Sequence, residues 1–385
     1  MSIKNTRDNV RLKINIASYG GRNWLLDLAR ELEKNGHEVN FYSYLPTNRA
    51  LKFGLKKECN RSYFILALPF LALLKFTHRA NWALFLFHFC FDHFTAYYSG
   101  FCDVFIGQSP MHVYSLDYAR KKYGATIILE RGTSHVLEQI KALRQNPALK
   151  GKNPMPNMFL KRDLKGYELA DYITVPSDVV RQSFILHSFS SARLFVNPFG
   201  VNLSQFKPTV LTKNNPFDLI SVGQWCHRKG CDLLIEVCRR YRFTLLHVGP
   251  IVDIPFPLDE NMKHINSVEE SNLINYYRMG KVFVLPSREE GLALVQPQAL
   301  VCGLPIVCSK YTGGRDLKPF INDPKWILEM EEYSIGELVK CIYKALDLAK
   351  EQFGERSYSE KIERNLSWDA YGKRYNSFLK NITIE

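Results

Sequence analysis

Two acidic residues, Glu289 and Glu290, stand in the segment PSREEGLALVQPQALVCGLPIVCS (286–309), directly ahead of an apolar helical run. The preceding KVFVLPS reads as a parallel-sheet strand, LVQPQALVC as a helix that tolerates Pro297 in its first turn, Gly303 as the helix stop, and PIVCS as the next strand. Backbone amides of Gly291, Leu292, Ala293 and Leu294 then face the opening of that helix, where an anion such as phosphate is received. Arg228 and Lys229, in SVGQWCHRKGCDLL (221–234), add fixed positive charge, and arginine makes bidentate phosphate contacts. Alone, the paired carboxylates would read as surface charge and the Arg-Lys pair as an exposed basic turn. In ILERGTSH (128–135) a buried strand runs directly into Glu130, Arg131, Thr133, Ser134 and His135, at the carboxyl edge where open α/β sheets bind ligands. His135 reads as readily as a capping or core histidine as a catalytic one.

The elements that must position these groups alternate along the whole chain. RLKINIASY is a strand, Gly20 and Gly21 form a glycine-rich turn, and NWLLDLARELEKNGHEVNFYS is an amphipathic helix stopped at Gly36 and followed by a second strand. Apolar runs at CDVFIGQ, ATIILE, YITVPS and RLFVNPF continue this βα alternation. Residues 141–165, basic and proline-containing, read as a loop bordered by helices, and 203–217 reads as a linker. A second series follows: DLISVGQW, CDLLIEVCRRY, FTLLHVGP, EESNLINYYRMG and VFVLPS, as strand, helix, strand, helix and strand. Trp368, Tyr371, Tyr375 and Phe378 then recur at helical spacing.

With 385 residues the chain is too long for one ordinary core, and two domains are the natural division. Its 51 basic and 38 acidic residues give a formal charge of +13, which suits an anionic partner. The basic residues are dispersed and no nucleic-acid reading motif accompanies them, so nucleic acid is not the expected partner. Nine cysteines without a C-x-x-C pair, several inside apolar runs, read as reduced core thiols in a cytoplasmic protein rather than disulfides or a zinc site. The polar N-terminal MSIKNTRDNVRLK lacks the apolar centre of a secretory signal.

SYFILALPFLALLKF (62–76) and NWALFLFHFCFDHFTAYY (81–98) are the most apolar stretches, and Lys75, His78 and Arg79 break them below the length of a membrane span. Two readings stay open: a pair of buried helices, or a monotopic surface with aromatics at headgroup depth and cations beside them.

Glu290, seven intervening residues and Gln298 resemble the Glu-x7-Glu hallmark of the retaining GT-B glycosyltransferases often called family 4. NPFGVNLSQFKP (197–208) resembles the stretch that closes that family's first domain, and SVGQWCHRKGCDLL resembles the opening of its nucleotide domain. Three positions depart from the pattern: Gln298 replaces the second glutamate, Gln224 a usual arginine, and Asn202 a usual aspartate. The resemblance implies two Rossmann-like, doubly wound parallel-sheet domains facing across a cleft. Residues 1–205 would bind acceptor, 206–367 would bind donor, and 368–385 would pack back on the first domain. It further implies retaining transfer of a hexose from a nucleotide-sugar to a glycan or lipid-linked acceptor, in bacterial surface polysaccharide assembly. A diphosphate leaving group then calls for cations and backbone N–H donors, not a nucleophile. Arg228, Lys229, Gly291 to Leu294 and the Gly20–Gly21 turn supply them. Glu290 is expected on the donor sugar, Gln298 at the ribose, and Glu130 and His135 in supporting catalytic roles. No metal or other cofactor is expected, and peripheral contact with the anionic inner membrane is. The alternatives are an epimerase or phosphorylase on the same fold, or a non-catalytic membrane or glycan binder with a decayed donor site.

Overall fold

The computed structural model describes residues 11–20, 23–151, 153–208, 216–351 and 360–383. Strands β1 (Lys13–Ala17), β2 (Glu38–Ser43), β3 (Asn60–Ser62), β4 (Val104–Gln108), β5 (Thr126–Glu130), β6 (Tyr172–Val175) and β7 (Leu194–Val196) form a parallel sheet in the order β3-β2-β1-β4-β5-β6-β7. A second parallel sheet, in the order β10-β9-β8-β11-β12-β13, contains β8 (Phe217–Val222), β9 (Leu245–Val248), β10 (Met262–Ile265), β11 (Gly280–Leu285), β12 (Ile306–Ser309) and β13 (Ile327–Met330). Burial on both faces explains why the central strands read as unbroken apolar runs: every residue of β1 after Lys13 is buried. The short edge strands β3, β10 and β13 have one neighbour each and carry no comparable pattern, so their residues gave no strand signal in the sequence.

The first sheet is covered by α1 (Trp24–Lys34), α2 (Thr47–Lys52), α3 (Phe64–Phe76), α4 (Asn81–Tyr98), α5 (Tyr114–Tyr123), α6 (Val136–Leu143), α7 (Asn157–Leu169) and α8 (Asp178–Ile185). The stretch 141–165, expected as a loop, is helical from Asn157 onward. Helix α1 shows the local logic. Asn23 caps it by accepting from the Leu25 amide at 3.1 Å, and Leu25, Leu26, Leu28, Ala29 and Leu32 form its buried face. Truncating Leu28, which is fully buried, would cost about 2–5 kcal/mol.

Around the second sheet lie α9 (Cys231–Tyr241), α10 (Leu273–Tyr277), α11 (Val295–Val301) and α12 (Ile335–Glu351). The chain then returns through α13 (Glu360–Leu366) and α14 (Trp368–Ile382). Helix α14 packs on α1 and on the first sheet: Arg374 donates to Asn197 Oδ1 and to the Pro198 carbonyl, each at 2.7 Å, and the Phe378 ring stacks on Phe195 at 4.2 Å. One apolar cluster runs from Ile14 and Leu28 through Phe199, Phe206 and Tyr277 to Leu300, joining the two domains. Part of the expected linker, residues 209–215, lies outside the described residues.

All nine cysteines are free and eight are buried, Cys90 being half-buried. Of the two helices in 62–98, α4 buries seven of its eighteen residues, whereas α3 buries only Ala67 and Leu74 of its thirteen and is not a core helix. Among the described residues no helix is long and apolar enough to cross a membrane.

Candidate functional site

In each sheet the strand order reverses beside the first strand, β1 against β4 and β8 against β11, and the loops from the carboxyl ends of these strands open toward a common space. A cavity of about 610 Å³ lies there. Its second-domain wall is Glu290, Leu292, Ala293 and Leu294, from the loop after β11. Its first-domain wall includes Gln108 at the end of β4, Arg131, Gly132 and Thr133 after β5, and Asn81, Leu84 and His88 of α4.

Glu290 is the electrostatic centre. Its Oε2 accepts from Arg228 Nη1 at 3.1 Å and forms a short contact with Lys229 Nζ, while its amide donates to the Tyr311 carbonyl at 3.0 Å. Burial alone would raise its pKa, but the charges of Lys229 and Arg228 outweigh burial and hold it below the usual carboxylate range. Arg228 is anchored by donating also to the Glu289 carbonyl at 2.7 Å. A pair of cations beside one carboxylate, at a cavity wall, is suited to accept a diphosphate: the anion takes over the cations and leaves the carboxylate free to accept from hydroxyl groups.

Glu289, the adjacent carboxylate, does a different job. Its Oε1 accepts from the Ser134 amide at 3.1 Å, a contact between the two domains. Gly291 is part of the same closure, because a Cβ there would come within 1.9 Å of the Gly132 carbonyl oxygen, and Ser177 Oγ donates to the Gly291 carbonyl at 2.8 Å. Only glycine permits that approach. Gly291 itself therefore serves the domain contact, and the three residues after it face the cavity. Helix α11 has only seven residues, so the expected anion site at its start rests more on the loop and the two cations than on a helix terminus.

Several expected residues sit elsewhere. Glu130 is buried beneath the cavity wall, where its carboxylate accepts from Trp24 Nε1 and Tyr375 Oη, each at 2.9 Å. Burial raises its pKa to about 7 against the opposing effect of those hydrogen bonds. It ties α1, β5 and α14 together and does not line the cavity. His135 also turns away: Nδ1 accepts from the Leu137 amide at 3.3 Å to cap α6, and the ring stacks on His187 at 4.2 Å. Neither residue stands at the cavity, where the expected supporting catalytic role would place it. Gly20 has φ of +91° and lies so close to the Tyr44 ring that a Cβ would meet it at 2.5 Å; it shapes the β1–α1 turn without lining the cavity. Gly21 lies outside the described residues. Gln298 is buried away from the cavity, accepting from Tyr277 Oη at 3.2 Å and donating from Nε2 to Glu270 Oε1 at 3.0 Å. A carboxylate thus remains beside position 298, on another loop. Gln224 is exposed, and Arg228 and Lys229 carry the positive charge of its loop.

Two cavity residues escaped the sequence reading. Gln108 ends β4, and its Oε1 accepts from the Tyr19 amide at 2.9 Å, holding the β1–α1 turn. The strand-end rule that singled out 130–135 applies equally to CDVFIGQ. His88 is the other. It is 7% exposed, and its Nδ1 is buried without a protein partner among the described residues. Burial, with the charges of Arg162 and His112 adding to it, lowers its pKa to about 3 despite Asp92, so it is a neutral imidazole. The signal lay in the polar stripe Asn81, His88, Asp92 and Thr95 of an otherwise apolar helix. Below the cavity, Asp92 fixes the β4–α5 loop by accepting from the amides of Val113, Tyr114 and Ser115 at 2.8–2.9 Å and from Arg162 at 2.6 Å.

Comparison with known proteins agrees with this fold. A family profile described as Glycosyl transferases group 1 matches residues 216–346. A phosphatidylinositol N-acetylglucosaminyltransferase component from Arabidopsis thaliana is 24% identical over 51% of this chain and 46% of its own length. The capsular polysaccharide biosynthesis glycosyltransferase CapM of Staphylococcus aureus is 24% identical over 43% of this chain and 48% of its own. The match thus spans about half the length of these curated relatives. Among solved structures, HepE of Anabaena in complex with UDP-glucose superposes with a TM-score of 0.60 over 96% of this chain and 100% of that one, at 12% identity. The chain therefore adopts the two-domain GT-B fold, and its residues 216–346 are similar to the glycosyl transferases group 1.

Proposed function

We propose that this protein transfers a hexose from a nucleotide-sugar to a glycan or lipid-linked acceptor, with retention of anomeric configuration, in the assembly of a bacterial surface polysaccharide. The observation that carries the reading is the Arg228–Lys229–Glu290 cluster, whose Glu290 lines the cavity with the two cations directly behind it. When the donor enters, its diphosphate replaces Glu290 as the partner of Lys229 and Arg228, and the freed carboxylate accepts from a hydroxyl of the sugar. Charge that develops on the departing diphosphate is met by these fixed cations, so the strongest interaction falls in the transition state. On the first-domain wall, neutral His88 accepts a hydrogen bond from the incoming acceptor hydroxyl. No metal is needed in this scheme, because the two side-chain cations neutralise the diphosphate; a chelator should leave transfer intact. The location belonging to this reading is cytoplasmic, on the inner face of the membrane.

Three similar proteins support the substrate class: a phosphatidylinositol N-acetylglucosaminyltransferase component, a glycosyltransferase of capsular polysaccharide biosynthesis, and a structural neighbour holding UDP-glucose. The test is a thermal-shift series of the purified protein with UDP, GDP, ADP, CMP and their common sugar conjugates, since ligands of the folded state raise its apparent stability. A shift with one nucleotide family names the donor to carry into transfer assays. No shift with any of them overturns the donor site and favours the non-catalytic alternative.

A further inference from the structure

Helices α3 and α4 are organised opposite to α1. In α4 the polar side chains His88, Asp92 and Thr95 face inward, while Trp82, Leu86, Phe89, Tyr97 and Tyr98 face out. In α3 the most exposed side chains are Ile65 at 79% and Phe76 at 85%. A soluble surface rarely gathers so many large apolar groups in one hairpin. The charge pattern is one-sided as well. Between residues 62 and 98 the sole carboxylate is Asp92, which is fully buried and occupied by α5 and Arg162. Lys75, His78 and Arg79, by contrast, lie at the turn between the helices, all three exposed. That turn is held by His78 and Arg79 in the left-handed region, with φ of 47° and 60°, a conformation unusual for such side chains.

From this surface we infer that the α3–α4 hairpin docks on an anionic lipid bilayer, with Trp82, Tyr97 and Tyr98 at headgroup depth, Ile65 and Phe76 in the acyl boundary, and Lys75 and Arg79 against the lipid phosphates. The amphipathic rings and the cationic rim match a membrane interface, and the absence of exposed carboxylate in this hairpin removes the repulsion an acidic surface would meet. The docked hairpin is also part of the cavity: Asn81, Leu84 and His88 of α4 line it, and Arg79 lies close enough to Tyr19 and Tyr44, beside the Gly20 turn, to act on both phenols. Resting on the transfer reading, this arrangement makes the acceptor a lipid whose headgroup reaches the cavity along α4. Docking itself does not depend on that reading.

The experiment is co-sedimentation of the full chain with vesicles of three parts phosphatidylcholine to one part phosphatidylglycerol, with pure phosphatidylcholine vesicles as reference. The protein is expected to pellet with the mixed vesicles and much less with the neutral ones. The triple variant Ile65→Ser, Phe76→Ser, Trp82→Ser changes only exposed positions, so its unfolding temperature and nucleotide thermal shift should stay as in the parent while vesicle partition falls roughly ten-fold. Lys75→Glu with Arg79→Glu should abolish the preference for anionic over neutral lipid. A parent protein that remains in the supernatant overturns the proposal, as does a triple variant that pellets as well as the parent. A parent that dimerises without binding vesicles, and becomes monomeric in the triple variant, would assign the surface to a second copy of the chain instead. A lost nucleotide shift with vesicle binding kept would count against the transfer reading alone.

Discussion

Glu290 and Glu130 leave the carboxyl edges of β11 and β5, one in each domain, yet their surroundings drive their charge in opposite directions. Glu290 has Arg228 and Lys229 against it and stays ionised below the usual range. Glu130 is held by the neutral donors Trp24 and Tyr375, and burial brings its pKa up to about 7. The second-domain wall is therefore electrically assembled to exchange one anion for another, whereas on the first-domain wall Arg131 is already paired with Asp163 at 2.8 Å, and beside that pair stand the neutral groups Gln108, Thr133 and His88. Hydrogen-bonding neutral groups suit hydroxyls. On the proposed transfer function, the contrast suits the charged donor to one wall and an acceptor hydroxyl to the other.

The sharpest way to break this contrast is to remove the second-domain carboxylate. Glu290→Ala should lower the transfer rate by on the order of 100-fold or more while nucleotide binding persists, because the cations that hold the diphosphate remain. Steady-state transfer combined with nucleotide titration would show it, and an active variant would reassign the sugar contact. Loss of that partner takes the carboxylate away from Lys229 and leaves Arg228 only Glu289 at 3.5 Å, so the unliganded variant should melt earlier and recover when nucleotide is added.

For the first-domain carboxyl the expected effect is on stability. A folded pKa of about 7 against an ordinary value near 4.5 means that Glu130 favours folding when protonated. Its contribution is complete below about pH 4.5 and is lost as pH rises through about 7, roughly 3 kcal/mol over that span. Glu130→Gln keeps an oxygen for Trp24 and an amide facing Tyr375 but cannot ionise. Denaturant unfolding between about pH 5 and 8 should show the parent losing stability relative to the variant, with transfer at low pH little changed. Equal pH profiles would mean that Glu130 is ionised in the folded protein, and the contrast with Glu290 would fail.

Lys229→Ala refines the donor side. With Arg228 still in place, nucleotide diphosphate affinity should fall by roughly 10- to 100-fold, the range expected for one charged hydrogen bond. Isothermal titration with the nucleotide found in the thermal-shift series measures it. Unchanged affinity would leave Lys229 as a counter-ion to Glu290 and nothing more.

The donor side was largely readable from sequence because its chemistry is local. Glu290 and the Leu292–Leu294 loop lie in one segment, Arg228 and Lys229 in another, each introduced by an apolar strand and bounded by glycine. The doubly wound architecture was readable for the same reason: buried parallel strands leave unbroken apolar runs. What the sequence could not reveal were long-range placements. Nothing in ILERGTSH says that Tyr375, 245 positions away, would take Glu130 out of the cleft, or that Ser183 and His187 would hold His135 against α8. Nor does the run 81–98 say which face of an almost uniformly apolar helix is inside. That choice was settled by Asp92, whose bonds to α5 and Arg162 pull the polar stripe inward and leave the aromatics outside.

The smallest expected effect tests the neutral wall at His88. Substitution by phenylalanine fills the ring's place between Tyr19 and Phe159 but removes the ring nitrogens, one of which has no protein partner among the described residues. Asparagine can set its amide close to where Nδ1 stands, at the expense of ring packing. If His88 only packs, phenylalanine should be the tolerated change and asparagine the damaging one. If it receives the acceptor hydroxyl, the order reverses: asparagine keeps transfer within roughly ten-fold of the parent, while phenylalanine raises the acceptor KM or lowers kcat without altering the nucleotide thermal shift. A neutral imidazole with its pKa near 3 also predicts that this dependence is flat with pH above about 5. A titration near pH 6.5 that vanishes in the asparagine variant would show instead that His88 becomes charged, and it would no longer be a neutral acceptor for the hydroxyl.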